Sequence, residues 1–256
     1  MRRSRIPTKR SDLDPDYGRH YRELYEKHWW WRAREEILVD ELRRRVPKGA
    51  SLAILDVGCG DALFFSRLCE FGEVEGIESV PELVDPNGPN RARITVAPFD
   101  ASFQPRKNYD LILMLDVLEH FDAPEQALRR AVDLLKPAGI VVVTVPAFLI
   151  LWTDHDFLNR HRTRFTKRSF ARLASASRME IMTSRYFFVW LALAKLALRM
   201  AEAILPTHPR IPGIPAHGIN EFMYRISRTE EKLTRLLHVP VGSSLLVVGR
   251  RIPESI

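Results

Sequence analysis

The strongest constraint on this chain is an alternation between residues 52 and 146, where apolar runs of strand length are separated by segments of helical period. Runs that are apolar throughout, rather than at every second residue, call for parallel strands covered by helices on both faces. Leu52 to Val57 reads as a buried strand, Gly58 to Asp61 as a tight turn, and Ala62 to Phe71 as a helix stopped by Gly72. Val74 to Glu78, Ile94 to Ala97, Tyr109 to Leu115 and Ile140 to Val145 follow as strands, with a helix from Pro124 to Leu135 before the last of them. Beyond residue 147 the rhythm changes. Met179 to Phe188 and Ser244 to Arg250 read as two strands separated by an apolar helix, a proline-rich loop and an amphipathic helix. That separation suits an antiparallel edge hairpin with an inserted cap.

The segment with the most chemistry is Leu55-Asp56-Val57-Gly58-Cys59-Gly60-Asp61-Ala62, a strand running through a glycine turn toward a helix. Such a turn binds nucleotides at the carboxyl end of a strand. A dinucleotide fingerprint wants a third glycine where Leu63 stands, and Asp56 and Asp61 would repel a pyrophosphate. A P-loop is excluded, since Gly-Lys-Ser/Thr is missing. An acid-flanked turn suits a cationic ligand, and S-adenosylmethionine carries an ammonium and a sulfonium but no phosphate. Glu78 closes the second strand, where an acid can accept from both ribose hydroxyls, and Asp100 follows the third, where it can accept from an adenine amino group. Any one of these acids reads equally well as an N-cap or loop residue. Four in order after successive strands point to a site.

Over roughly residues 51 to 147 the chain resembles the class I S-adenosylmethionine-dependent methyltransferases. LDVGCGDA is similar to their first motif, EGIES to the ribose-binding strand end, APFD to the adenine-proximal segment, and DLILMLDVLEHFDAPEQALRRAVDLLKPAGIVVVTVP to the fourth and fifth strands with their helix. The flanks HWWWRAR and LWTDHDFLNRHRTRFTKRSF look like a bacterial branch, many of whose members act on small molecules or cell-envelope components. The resemblance implies an α/β, Rossmann-like, mostly parallel seven-stranded sheet with an antiparallel C-terminal edge hairpin. It implies backbone contacts from Gly58, Cys59 and Gly60 to the cofactor, Glu78 on ribose, Asp100 near adenine, and Asp116 and Val117 beside the methionine moiety. The expected organisation is a basic tail and helical cap over 1–50 and a methyltransferase domain over 51–256. Within that domain lie the core (51–150), a post-core segment and strand (151–188), an inserted cap (189–242) and the last strand (243–251).

Methyl transfer is an in-line displacement at an activated sulfonium, so an enzyme must align the acceptor and, for a hydroxyl, remove its proton. Histidine is the natural base near neutral pH. His120, at the end of the fourth strand, and His155 and His161 in the post-core segment are the candidates, with structural support the other reading of His120. Asp154, His155, Asp156 and His161 match no firm ligand spacing, so no metal is expected. Arg162, Arg164 and Arg168 suit either a phosphate clamp or a salt-bridged loop. Trp29, Trp30 and Trp31 cannot all face one side of the helix read over Tyr17 to Arg45. That helix is expected to cap the cofactor cleft, with a tryptophan such as Trp30 closing over it and Arg32 or Arg34 reaching the methionine carboxylate.

Charge and composition bear on the acceptor. Lys plus Arg number 39 against 32 acids, a net charge of +7, with Arg2, Arg3, Arg5, Lys9 and Arg10 crowded at the start. This favours a polyanionic partner: nucleic acid, anionic lipid or a phosphorylated substrate. The fourth strand continues Leu115-Asp116-Val117-Leu118, without the Asn/Asp-Pro-Pro-aromatic signature of exocyclic amino methylation. No cysteine follows the fourth or fifth strand, where cytosine methylation needs one, so DNA is not expected and RNA is a minor alternative. The helix over about Tyr186 to Leu205 carries Lys195, Arg199 and Glu202 in one narrow stripe, which argues against spanning a bilayer. It fits a lid or a helix in a membrane interface. Two cysteines, Cys59 and Cys69, and a basic N-terminus with no following apolar run indicate a cytoplasmic chain, peripheral to the inner membrane if that helix is interfacial. The expected activity is O-methylation of a small-molecule or lipid-linked envelope glycan acceptor. The alternatives are RNA methylation, aminopropyl transfer, or a scaffold that binds S-adenosylmethionine without turnover.

Overall fold

The computed structural model describes residues 17–153, 156–157, 159–202, 213–235, 237 and 239–252. Its strands are β1 (Leu52–Val57), β2 (Gly72–Glu78), β3 (Ile94–Val96), β4 (Tyr109–Leu115), β5 (Leu135–Pro146), β6 (Met179–Phe187) and β7 (Ser244–Arg251). They form one seven-stranded sheet in the order β3-β2-β1-β4-β5-β7-β6. β1 to β5 pair in parallel, and β7 runs antiparallel between β5 and β6. The strand order reverses between β1 and β4, so their carboxyl ends part there and leave a crevice.

The period-two alternation of a strand explains why both faces need cover. Ile112 and Met114 of β4 point to one side, where α4 (Pro124–Asp133) and α5 (Lys167–Ala176) bury Leu128, Val132 and Phe170 against them. Leu111 and Leu113 point to the other, against Ala33, Ile37 and Leu38 of α2 (Trp29–Arg45) and Phe65 and Leu68 of α3 (Phe65–Leu68). Ile37, Leu38 and Leu42 are 0–1% exposed, each contributing roughly 1.5–3 kcal/mol by leaving water. That anchorage holds α2, and the side chains it aims at the crevice, in a fixed position. α7 (His217–Thr234) lies over α2, joined by Arg228 to Asp40, while Arg185 of β6 bonds both Glu41 and Glu231.

Several boundaries differ from expectation for identifiable reasons. The helix expected over 62–71 is the single turn α3, and β2 starts at Gly72. Gly72 pairs with Leu52, and a Cβ there would lie 2.1 Å from the Leu52 carbonyl oxygen, so this glycine permits close strand approach rather than ending a helix. The expected Tyr17 to Arg45 helix breaks at His28 into α1 (Tyr17–Lys27) and α2, with His28 Nδ1 accepting from Trp30 N at 3.1 Å as the cap. Asn220 of α7 staples the break, accepting from Trp29 N and donating to Lys27 O, both at 2.8 Å. β5 begins at Leu135, not Ile140, through an irregularity between Tyr109 and Leu111 of its partner that accommodates Pro137. The apolar helix starts only after Tyr186 and Phe187 have completed β6; it is α6 (Val189–Glu202), and residues 203–205 lie outside the described residues. Among the described residues no helix is long and apolar enough to cross a membrane.

Candidate active site

A cleft of about 2230 Å³ opens at the carboxyl ends of β1 and β4. Its floor is the glycine turn. Gly58 has φ +74, and a Cβ on it would meet Val117 Cγ2 at 2.6 Å, so the turn and the end of β4 touch only because this residue has no side chain. Gly60 N donates to Glu78 Oε2 at 3.0 Å and Val80 N to Glu78 Oε1 at 2.8 Å. Each oxygen of the buried Glu78 thus takes one backbone donor, and its remaining lone pairs are available to a pair of hydroxyls. Asp56 is buried one residue before the strand end; burial pushes it up to about 7, Arg34 pulling it down and Glu78 adding to the rise. Burial also pushes the Cys59 thiol up, so Cys59 offers its backbone rather than a thiolate.

The remaining acids of the motif are already engaged. Asp61 accepts from Asp85 N at 3.0 Å and pairs with Arg22 of α1. Asp100 stands exposed at the cleft wall, where Ser102 Oγ at 2.6 Å and Ser102 N at 2.8 Å hold its carboxyl below the usual range. The helical cap closes the opposite side. Tyr21, Trp29, Trp30 and Trp31 all line the cleft, Trp29 being the most buried, packed against Phe188 and Trp190 at ring distances of 6.0 and 5.1 Å. Arg34 is bound within the protein, to Asp116 Oδ2 at 2.6 Å and Thr144 Oγ1 at 3.3 Å, with its guanidinium 5.4 Å from the Trp30 ring. Arg32, its alternative, pairs with Glu221 of α7. Asp116 itself has φ +57, a bend that turns the chain out of β4 into the cleft wall.

At the far end the post-core loop folds back onto the end of β4. Asp156 is fully buried and receives Arg164 through Nε at 2.8 Å and Nη2 at 2.9 Å, Thr153 N at 2.8 Å, and His161 Nδ1 at 2.8 Å. Burial alone would raise it, but His161 and Arg164 hold its carboxyl well below the ordinary range. This orients His161 with Nε2 4.0 Å from Glu119 Oε1 and its ring 5.0 Å from that of His120. Glu119 is 0% exposed, and neither carboxylate oxygen has a hydrogen-bond partner among the described residues. Burial and the nearby Asp116 push it far above the usual carboxylate range. His155 and Asp154 lie outside the described residues. The three arginines of this segment form no clamp: Arg164 is committed to Asp156, Arg162 pairs with Asp122 at 2.5 Å, and Arg168 does not line the cleft.

Sequence reasoning missed three participants. Glu119 was legible only as part of a motif, and Asp156 only as a poor ligand. Lys195 was placed in a charged stripe, yet α6 turns it and Leu191 into the cleft. Burial and the neighbouring Arg164 lower Lys195 to about 8. The available signal was a lysine one turn ahead of Arg199, set among the apolar residues of the helix.

A buried acid at the end of β1, a second at the end of β2 fed by backbone donors, and a glycine turn with no room for side chains fit a cationic, ribose-bearing ligand, as S-adenosylmethionine is. Residues 30–182 match the model of a family described as a methyltransferase domain. An uncharacterized protein of Mycobacterium tuberculosis is 32% identical over 124 residues, which span 43% of this chain and 41% of that protein. The mitochondrial ubiquinone biosynthesis O-methyltransferase of Candida albicans is 25% identical over 138 residues, 48% of this chain and 42% of the enzyme, so the matches span less than half of these relatives. Phosphoethanolamine N-methyltransferase 2 of Haemonchus contortus, solved with S-adenosyl-L-methionine, shares the fold at a TM-score of 0.60 and 14% identity, over 95% of this chain and 59% of that one. The family match covers more than half of the chain and includes the glycine turn, Glu78 and the end of β4: the chain belongs to the methyltransferase-domain family.

Proposed function

We propose that the protein methylates a hydroxyl oxygen on a small or lipid-linked acceptor held beneath α6. The observation that carries this reading is the group formed by Glu119, His120 and His161 at the end of β4, with His161 fixed by the buried Asp156. S-adenosylmethionine supplies the activated methyl group. In this reading Glu78 and the Gly58–Gly60 turn hold the ribose end, Asp56 and Asp116 face the cationic end, and Trp30 covers it. A hydroxyl is a poor nucleophile until its proton is drawn off, and the Glu119, His120 and His161 end is where that proton departs. The ubiquinone biosynthesis O-methyltransferases among the relatives support an oxygen acceptor.

The roof favours an acceptor drawn from a lipid phase. α6 presents Lys195 and Leu191 to the cleft and leaves Leu193, Leu196 and Met200 exposed on its outer face. In a chain of net charge +7, that outer face suits an anionic bilayer. Flotation with phosphatidylglycerol-containing vesicles is expected to carry the protein upward, and failure to float at low salt would remove the lipid-phase reading.

Incubation with methyl-labelled S-adenosylmethionine and a bacterial extract, then fractionation into lipid, small-molecule, RNA and protein pools, tests the acceptor class. Label in the lipid or small-molecule pool, stable as an ether, is expected. Label confined to RNA would overturn the proposal.

A further inference from the structure

We propose that Glu119, His120 and His161 bind a divalent transition-metal cation, and that this cation ionises the acceptor hydroxyl. The inference rests on the O-methylation reading above and names the agent that draws off the proton.

Three observations converge. One ligand-type atom from each of the three residues lies within 4.8 Å of the others. Glu119 is wholly buried with both oxygens unpartnered, an arrangement that ordinarily costs a protein several times what a satisfied polar group does. Protonation would cancel its charge yet leave the carboxyl without a partner, whereas a cation answers both deficits. His161 is held through Nδ1 by Asp156, itself locked by two bonds from Arg164, and this presents Nε2 toward Glu119. A carboxylate behind the imidazole is the usual support of a metal-binding histidine, fixing its tautomer and aim.

The donor set defines the class of ion. One carboxylate oxygen and two imidazole nitrogens, with no thiolate, suit zinc, manganese, iron(II) or cobalt(II) rather than calcium. Metal–ligand bonds of about 2.1 Å place ligand atoms about 3–3.4 Å apart, so the three atoms must close inward by rotation of their side chains. Three protein ligands leave open positions toward the cleft for the acceptor oxygen. One carboxylate against a divalent ion leaves a positive charge that stabilises an alkoxide or phenolate. The acceptor O–H bond then breaks, with the proton passing to solvent through the cleft mouth. The oxygen lone pair forms the new C–O bond as the methyl C–S bond breaks, its electron pair remaining on sulfur as a neutral thioether. The cation is unchanged, and nothing is oxidised or reduced.

The test uses the full-length protein, stripped with EDTA and titrated by calorimetry with zinc and, separately, with cobalt(II) followed by visible absorbance. One equivalent is expected to bind. Glu119→Gln and His161→Gln should each weaken binding at least tenfold while circular dichroism remains native, and Asp156→Asn should weaken it about tenfold through the lost support. His217→Gln, exposed on α7, should leave it unchanged. No stoichiometric binding, or binding indifferent to Glu119→Gln, would overturn the inference. The labelled-methyl assay run with and without EDTA separates the two levels. Transfer to a hydroxyl that EDTA does not slow leaves O-methylation standing and removes the cation; transfer to RNA alone removes the O-methylation reading whatever the protein binds.

Discussion

The two ends of the cleft bury acids in opposite ways. At the cofactor end Glu78 receives a backbone N–H on each oxygen, from Gly60 and Val80, with lone pairs to spare. At the acceptor end Glu119 is as deeply buried and receives nothing, while thirty-seven residues further on Asp156 is saturated by Arg164, Thr153 and His161. Preformed backbone donors make a site that recognises one ligand shape. An unsatisfied carboxylate beside two imidazoles makes one that awaits a cation or a proton.

The largest expected effect comes from breaking the saturated acid. Arg164 is 1% exposed at its side chain, so Asp156→Ala leaves a buried guanidinium without its partner. Such a loss costs about 3–5 kcal/mol, readable as a shift of the urea midpoint at constant m-value. A loss under about 1 kcal/mol would show that the loop rearranges to rescue Arg164 and that His161 is not rigidly aimed.

Asp56 sharpens the comparison from the cofactor end. Its pKa rises from 3.8 to about 7 in the cofactor-free protein. The native state therefore holds more protons than the unfolded state between those values, and stability falls as pH rises through that window. Asp56→Asn should match the parent near pH 4 and exceed it by roughly 4 kcal/mol above pH 7, while binding S-adenosylhomocysteine and S-adenosylmethionine more weakly. Parallel stability curves for parent and variant across pH 4–7 would show that Asp56 is ionised throughout and is already matched within the protein.

Gly58 tests whether the turn is as tight as its geometry indicates. A methyl group at this position meets Val117 and must sit at φ +74, two penalties that together cost about 1–3 kcal/mol. Gly58→Ala should lower cofactor affinity tenfold to a hundredfold by calorimetry. Adding Val117→Ala relieves the clash but not the backbone strain, so the double variant should recover only part of the loss; full recovery would place the whole effect in the side-chain contact.

This asymmetry also explains what could be read from the sequence. β1 and β4 keep their expected ends because unbroken apolar runs leave no other register, and the cofactor residues lie consecutively in LDVGCGDA or at a strand terminus. Gly72 reads as a helix stop because a helix stop and a close strand contact ask for the same residue. The break at His28 was hidden because histidine is an uncommon cap and the aromatic run continues the helical pattern across it. At the acceptor end nothing is contiguous: Glu119 and His120 meet His161 across the fold, and the aim of His161 depends on Asp156 and Arg164. No spacing rule in one sequence reports a contact made by loop closure.

Lys195 carries the comparison into α6, where an inward-facing cation and outward-facing leucines reverse the usual amphipathic order. Burial lowers its pKa from 10.5 to about 8. The unfolded chain therefore binds more protons than the native one between pH 8 and 10.5, and the lysine's penalty, full below pH 8, fades as pH rises through that interval. Lys195→Met should stabilise the protein by about 3 kcal/mol at pH 7, with the gain vanishing near pH 10.5. A residue retained at that cost should act on a ligand, so the same variant is expected to raise the KM of the acceptor about tenfold. The parent's KM should rise above pH 8 as the ammonium is lost, and the variant's should stay flat. A variant that is more stable with an unchanged acceptor KM would make Lys195 a burden without a ligand and return α6 to the role of a plain cover.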